Sequence, residues 1–420
     1  MERSYWPRLV DGLLARDLGT FGAVLIEGPR SCGKTVTASE SAASMVRLDT
    51  DDNARQLAEV QPELLLRGDQ PRLIDEWQVF PRLWDHVRRA VDDSGGLPGQ
   101  FILTGSATPA DKARVHSGTG RIARLRMRTM SLFELGFSSG AVSLAALFRK
   151  TQEVVGASEH SVQDFAQAIV RGGWPAMLDA PLASAERYAI AYVENSFYAD
   201  IPSLGGPVRE PEAMSRFFLS YAQMTANPAP LSTVMQRAFG GDDPVSSVTA
   251  VTAERYRAVA ERLMLIEDLP AWSPALRSRS RLVKTAKRYF TDPSLPAALM
   301  RVNAEGLVAD LNTMGYLFEN LAVRDLRVYA GIMDASVSHY RESSGDLEAD
   351  IVVSKPTGEW IAFEVKMGAA RVDEAAANLI KLRDTRIAHP PAALVVLTMN
   401  GYAHQRPDGV WMVPLGLLGP

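Results

Sequence analysis

One eight-residue segment constrains this chain more than any other. Residues 28–35 read G-P-R-S-C-G-K-T, follow the apolar run 23–27 and precede the helix-compatible run 35–43. In that setting glycines let backbone N–H groups approach phosphates, the lysine neutralises phosphate charge, and the threonine hydroxyl is a magnesium ligand. The segment therefore predicts a phosphate-binding loop for ATP and Mg²⁺ within a parallel α/β sheet. The predicted cofactor-binding residues are Gly28, Pro29, Arg30, Ser31, Cys32, Gly33, Lys34 and Thr35.

Two further strand candidates end in polar residues. One apolar run ends at Asp75, 41 residues after Lys34, with Glu76 next to it; another ends at Thr104. In a parallel sheet the carboxyl ends of the strands meet at one edge. Asp75 is therefore predicted to hold Mg²⁺ together with Thr35, and Glu76 to polarise the attacking water. Thr104 or Ser106 is a candidate γ-phosphate sensor, with a plain turn as the alternative.

An arginine-rich run follows these strands. Arg124, Arg126 and Arg128 alternate with less polar residues, which is typical of a strand with one basic face. Arg121, at the head of the run, is a candidate arginine finger that would reach the nucleotide of a neighbouring subunit. The alternatives are a solvated strand face or a patch that faces DNA.

The middle of the chain predicts a DNA-binding unit. Residues 214–226, 231–239 and 249–265 are expected to form three helices of a helix-turn-helix unit. The run 276–290 follows with six basic residues and no acidic one, as expected of the wing of a winged helix. The alternative is a winged-helix unit that only bridges domains or forms a ring contact. The predicted DNA-binding residues are Arg255, Arg257, Arg277, Arg279, Arg281, Lys284, Lys287 and Arg288.

A second carboxylate pattern lies near the end of the chain. Asp350 is followed 14 residues later by Glu364 and then Lys366, which is the PD-(D/E)xK nuclease pattern. Two carboxylates can hold Mg²⁺ against a phosphate, and the lysine, two residues on, points to the same face of its strand. Glu319, in a helical run, supplies an optional further carboxylate. The alternative is a relic that binds DNA or metal without cutting.

Composition limits the remaining possibilities. The net charge of −4, from 45 basic and 49 acidic residues, provides no global basic field, so any DNA contact must come from local patches. The single cysteine, Cys32, excludes an internal disulfide and a Cys-rich zinc site. There is no signal-peptide run in residues 1–16 and no apolar stretch of roughly 18 residues. These features predict a soluble, intracellular, multidomain protein.

Taken together, these motifs resemble an AAA-type ATP-binding protein family of bacteria and archaea that carries a C-terminal domain of unknown function, of the DUF4143 type. The resemblance implies an AAA-like nucleotide-binding domain, a winged-helix-like middle and a nuclease-like C-terminal fold. It covers most of the chain. The matching stretches are GPRSCGKT (28–35), LIDEWQ (73–78), FILTGS (101–106), GRIARLRMRTMSLFEL (120–135), GGWP (172–175), ESSGDLEADIVV (342–353) and FEVK (363–366).

The sequence thus predicts an α/β fold in four segments: an AAA-like ATPase domain (1–140), a helical linker (141–205), a winged-helix-like domain (206–300) and a PD-(D/E)xK-like domain (301–420). The first hypothesis is an oligomeric ATPase motor, with a hexameric ring as a candidate form, that remodels or translocates branched or broken double-stranded DNA at the nucleoid. The second is a metal-dependent endonuclease that ATP licenses. The third is a nucleotide-switched adaptor that binds DNA or protein.

Overall fold

The computed structural model describes residues 5–105, 118–153, 156–200, 211–240, 249–272, 285–342, 347–385 and 389–420. The chain divides into two compact units, Met1–Thr129 with Arg262–Met264, and Met130–Glu261 with Leu265–Pro420. The first unit's main segment ends at Thr129, which is 11 residues before the predicted domain boundary at residue 140. Among the described residues, no helix has both the length and the apolar character of a membrane span.

The first unit is built on a five-stranded parallel sheet. Its strand order is β2-β3-β4-β1-β5, which confirms the predicted parallel α/β arrangement. In sequence order its elements are α1 (Leu9–Leu18), β1 (Ala23–Glu27), α2 (Lys34–Ser41), β2 (Ser44–Arg47), α3 (Asp52–Val60), β3 (Arg72–Asp75), α4 (Leu83–Asp93), β4 (Phe101–Gly105) and β5 (Ile122–Arg126).

Both faces of this sheet are buried. Leu25 and Leu103 pack on one face against Trp84 of α4, whereas Val24 and Ile102 lie in a second cluster on the other face. Because side chains alternate along a strand, a strand that is covered on both faces reads as a continuous apolar run. Burial on both faces explains the apolar runs in the sequence. Because β1, β3 and β4 are parallel, their carboxyl ends lie at the same end of the sheet.

The second unit combines helices with a six-stranded mixed sheet. The strand order is β13-β14-β11-β10-β9-β8, with parallel pairs β10–β11 and β11–β14 and antiparallel pairs elsewhere. Its helices are α5 (Leu144–Arg149), α6 (Val162–Arg171), α7 (Leu182–Asn195), α8 (Pro211–Gln223), α9 (Leu231–Phe239), α10 (Ala250–Arg262), α11 (Ser294–Leu299), α12 (Ala304–Ala309), α13 (Leu311–Ile332) and α14 (Val372–Thr385). Its strands are β6 (Val142–Ser143), β7 (Ala157–Ser158), β8 (Ser336–Arg341), β9 (Glu348–Ser354), β10 (Trp360–Val365), β11 (Ala393–Thr398), β12 (Gly401–Tyr402), β13 (His404–Gln405), β14 (Trp411–Pro414) and β15 (Leu418–Gly419).

Strand pairing joins the beginning of this unit to its end. β6 pairs in parallel with β15, and β7 pairs antiparallel with β12. The predicted linker segment 141–205 therefore contributes strands to the C-terminal part of the chain. Helices α8, α9 and α10 occupy the three predicted helical runs, and the apolar stripe Tyr256, Val259 and Ala260 is buried as expected.

A buried ion-pair network anchors α13 in the second unit. The guanidinium of Arg324 lies 2.8 Å from Asp325 and 3.3 Å from Asp292, and all three side chains are fully buried. Asp292 also accepts a hydrogen bond of 2.9 Å from the backbone N–H of Gly173. The network fixes the helix that carries Glu319.

Candidate functional site

The loop after β1 has the backbone that its glycines predict. Gly33 caps α2 with φ of 104°, in the left-handed region that favours glycine. A Cβ atom at Gly28 would lie 2.3 Å from the carbonyl oxygen of Met127. Both glycines are therefore required by geometry, one for its φ angle and the other for close backbone approach.

Lys34 is turned inwards across this loop. Its ammonium donates hydrogen bonds of 2.9 Å to the carbonyl of Gly28 and 2.8 Å to that of Pro29, and the residue is 5 % exposed. The positive charge is therefore held at the mouth of the loop. A phosphate group bound there would meet the ammonium together with the loop N–H groups at the start of α2.

The strand ends bring three predicted residues together. The hydroxyl of Thr35 donates a hydrogen bond of 2.8 Å to the Oδ1 atom of Asp75, and the hydroxyl of Thr104 donates to the same oxygen. β4 lies between β3 and β1, so Thr104 is fully buried between the carboxylate and the loop. In this arrangement Thr104 positions Asp75, an interaction that the sequence pattern did not predict. The other candidate sensor, Ser106, lies outside the described residues.

Glu76 follows directly on β3 in a rare backbone conformation. Its φ of 54° is in the left-handed region, where a non-glycine residue stores strain. The side-chain amide of Gln78 donates a hydrogen bond to its carboxylate. Gln78 was not predicted as a site residue, although it lies only two positions after Glu76 in the LIDEWQ stretch.

Arg121 lies at the other edge of the same sheet. Its carbonyl accepts a hydrogen bond of 3.1 Å from the N–H of Ala23, which is the first residue of β1. The phosphate-binding loop follows Glu27, the last residue of the same strand. Its guanidinium pairs with Asp92 at 2.8 Å, and this hydrogen bond is the main reason that the pKa of Asp92 is lowered. Arg121 is therefore at the sheet edge away from the loop of its own chain.

The predicted DNA-binding residues have different environments. Arg255 is exposed on α10, while Arg257 pairs with Glu254 and Glu261 on the same helix. Burial of Glu261 is the main reason that its pKa is raised. Four of the predicted residues lie outside the described residues: Arg277, Arg279, Arg281 and Lys284.

The structure does not support the prediction that Lys287 and Arg288 contact DNA from a wing, because both residues are buried. They are 3 % and 7 % exposed. The backbone N–H and carbonyl of Lys287 bond to Leu269 in an antiparallel bridge, and the guanidinium of Arg288 pairs with Asp268. A run of basic residues in a sequence does not show that its last two members are buried in an extended segment.

Lys287 lies in the C-terminal carboxylate cluster. Its ammonium is 2.9 Å from Glu319 and 3.1 Å from Asp350. Lys366 lies 2.6 Å from Glu364 and 3.5 Å from Asp350. The structure therefore brings all four predicted nuclease residues together, along with a lysine that the pattern did not include.

The two lysines govern the charge state of this cluster. Burial is the largest single effect on the pKa of Lys287 and lowers it, but the negative charges around the ammonium, first those of Glu319 and Asp350, raise that pKa well above its usual value overall. Burial also opposes ionisation of Asp350, yet Lys287 and Lys366 hold its pKa below the usual range. Burial raises the pKa of Glu364 and of Glu319, and repulsion from Asp350 adds to this rise.

The cluster does not have the geometry of the predicted metal site. Over the parts of the chain that the structure describes, no three His, Cys, Asp or Glu side chains are placed to share a metal ion. The prediction that Glu319, Asp350 and Glu364 together hold Mg²⁺ is not supported by this arrangement. The physical reason is that ammonium groups stand between the carboxylates.

Three family profiles match successive parts of the chain. An AAA domain matches residues 20–136, a domain of unknown function (DUF8612) matches 162–306, and a second one (DUF4143) matches 314–418. The fold and the loop therefore define an ATPase of the AAA class, whose nucleotide is ATP. The chain thus combines an AAA domain with a C-terminal DUF4143 domain, which confirms the resemblance.

Two solved structures are similar to the chain at low identity. One is described as the structure of Drosophila ORC bound to DNA, with 12 % identity, a TM-score of 0.23, and coverage of 66 % of this chain and 89 % of that one. The other is C. elegans PCH-2, with 16 % identity, a TM-score of 0.18, and coverage of 60 % and 66 %. No curated protein gives a significant match.

Proposed function

We propose that this AAA-class ATPase couples ATP hydrolysis to the binding and remodelling, or translocation, of DNA. The observation that carries the ATPase part is the contact of the Thr35 and Thr104 hydroxyls with one oxygen of Asp75, beside the inward-turned Lys34. The phosphate-binding loop and the ends of β3 and β4 are adjacent. The groups that would bind the phosphates therefore lie next to the groups that would act in hydrolysis.

The residues fit a nucleotide with magnesium. The Thr35 hydroxyl and the Asp75 carboxylate are hard oxygen donors of the kind that Mg²⁺ prefers. When bound, Mg²⁺ would neutralise charge on the phosphates. Lys34 would leave the loop carbonyls to contact the terminal phosphates, and Glu76 would accept a proton from the attacking water.

The DNA part of the proposal is supported by the basic run 277–284 and by Arg255. The run holds four basic residues without an acidic one, and Arg255 is exposed on the preceding helix. Contacts of this type go to phosphates and carry little base readout, which suits recognition of branched or broken DNA in recombination and repair. A homo-oligomer, with a hexameric ring as the form to test, would act at the nucleoid.

The experiment is the steady-state ATPase rate of the full chain with no DNA and with single-stranded, double-stranded and four-way DNA. The proposal expects a higher rate with at least one DNA, and no hydrolysis by Lys34→Ala. A rate that no DNA changes would leave the ATPase in place and remove its coupling to DNA.

A second experiment tests the basic run itself. Replacing Arg277, Arg279 and Arg281 by Ala should weaken DNA binding and make it less dependent on salt, with the slope falling by about 0.9 for each phosphate that is no longer neutralised. Arg301→Ala removes an exposed arginine outside the run and serves as the matched control. Equal DNA affinity and equal salt slope in the triple variant and the control would remove the run from the proposal.

A further inference from the structure

Five charged side chains meet inside the C-terminal part of the second unit. Glu319 comes from α13, Asp350 from β9, and Glu364 from the end of β10 with Lys366 just beyond it. Lys287 enters from a separate segment, 32 residues before Glu319. Three carboxylates are thereby matched with two ammonium groups.

Lys287 is held in this position by its backbone as well as its side chain. Its N–H donates to the carbonyl of Leu269 at 3.0 Å, and its carbonyl accepts from the N–H of Leu269 at 2.9 Å. The side chain is 4 % exposed, so its charge depends on the carboxylates for compensation. The ammonium is therefore a built component of the cluster.

The oxygen atoms of Asp350 are already used. Oδ1 faces the ammonium of Lys287 at 3.1 Å, while Oδ2 accepts from the N–H of Val365 at 3.0 Å and lies 3.5 Å from Lys366. Oε2 of Glu364 is 2.6 Å from Lys366. Oε1 of Glu364 is buried and has no hydrogen-bond partner among the described residues.

A nuclease of the PD-(D/E)xK type needs a divalent cation bound to the two carboxylates of the motif. In this chain those two positions are occupied by Asp350 and Glu364. Mg²⁺ requires a near-octahedral set of oxygen ligands, several of them water. An ammonium close to two of the carboxylates repels such an ion and occupies its ligands. The residues present therefore do not fit the cation that the pattern implies.

We propose that Lys287 takes the place of the divalent cation in this centre and excludes Mg²⁺ from it. The lysine supplies fixed positive charge where a nuclease would carry an exchangeable metal. In this arrangement the two ammonium groups offset most of the carboxylate charge, the centre is structural, and the chain does not cut DNA there. Removal of the ammonium converts the three carboxylates into a cation site.

The test measures Mn²⁺ binding to the nucleotide-free full chain by electron paramagnetic resonance, together with the shift in Tm on adding Mn²⁺. The variant is Lys287→Met. Lys355→Met is the matched control, because it removes a lysine outside the cluster. The proposal expects one Mn²⁺ more per chain in Lys287→Met than in the wild type and control, and a rise in Tm with Mn²⁺ in that variant alone.

A folded Lys287→Met chain without additional Mn²⁺ would overturn the proposal. The proposal would also be overturned if the wild-type chain bound a Mn²⁺ ion and Asp350→Asn abolished this binding. The lysine would then not exclude the metal. If Lys287→Met does not fold, the double variant K287M/E319Q removes one charge of each sign. It should still take up Mn²⁺ through Asp350 and Glu364, and a folded double variant that takes up none refutes the proposal equally.

Discussion

Thr104→Val isolates one hydrogen bond at the heart of the ATP site. The substitution keeps the size and the branching of the side chain and removes only the hydroxyl that donates to Oδ1 of Asp75. Because Thr104 is fully buried, water cannot replace the missing donor without rearrangement of the sheet edge. Asp75 keeps its second partner, Thr35, at 2.8 Å.

The magnitude follows from the charge on Asp75. A hydrogen bond to an ionised group contributes about 1.5–3 kcal/mol. Each decrease of about 1.4 kcal/mol in transition-state stabilisation lowers the rate by about tenfold. Since Thr35 still holds the carboxylate, the expected fall in kcat is at the lower end, about tenfold.

The assay is ATP turnover by the full chain at saturating Mg²⁺ and ATP, with ADP affinity from calorimetry as the control for folding of the loop. Thr104→Ser restores the donor and should return most of the activity. ADP affinity should be little changed in both variants. A Thr104→Val chain that hydrolyses ATP at the wild-type rate would refute the positioning role of Thr104.

Three other perturbations have defined outcomes. Arg324→Met leaves two buried carboxylates without their cation and should destabilise the second unit by about 3–5 kcal/mol in urea unfolding, while Arg301→Met at an exposed ion pair should change it by less than about 1 kcal/mol. Gly28→Ala places a Cβ 2.3 Å from a carbonyl oxygen and should abolish ATP binding in calorimetry, whereas Gly12→Ala, where nothing lies within 4 Å, should leave it intact. Hydrogen bonds from the backbone N–H of Ser161 and, second, from its hydroxyl lower the pKa of Asp164 in the folded chain. The ionised carboxylate therefore stabilises the fold at pH values above the unfolded pKa of about 3.9, and this stabilisation disappears as the pH falls through the folded pKa. The difference in Tm between the wild type and Asp164→Asn should shrink from pH 6 to pH 3.

The sequence predicted the first unit well because its signals are local. The loop, its flanking strand and helix, and the polar ends of β3 and β4 are each encoded within a few neighbouring residues. Parallel topology then brings Thr35, Asp75 and Thr104 together without further information. The sharing of one Asp75 oxygen by two hydroxyls depends on strand order, which a linear pattern does not contain.

The second unit was harder to predict because its decisive interactions span the chain. Lys287 and Asp350 are 63 positions apart, and nothing around Lys287 distinguishes it from the basic residues that precede it. The predicted wing therefore included a residue that is buried among carboxylates. Likewise, Arg324 reads as one charged residue in a helix until Asp292 comes to lie beside it.

The most direct test of the central claim is titration of the purified full chain with ATP and Mg²⁺ by calorimetry. The wild-type chain should take up one ATP, and the Lys34→Ala chain should take up none. Absence of ATP uptake by a folded wild-type chain would contradict that claim.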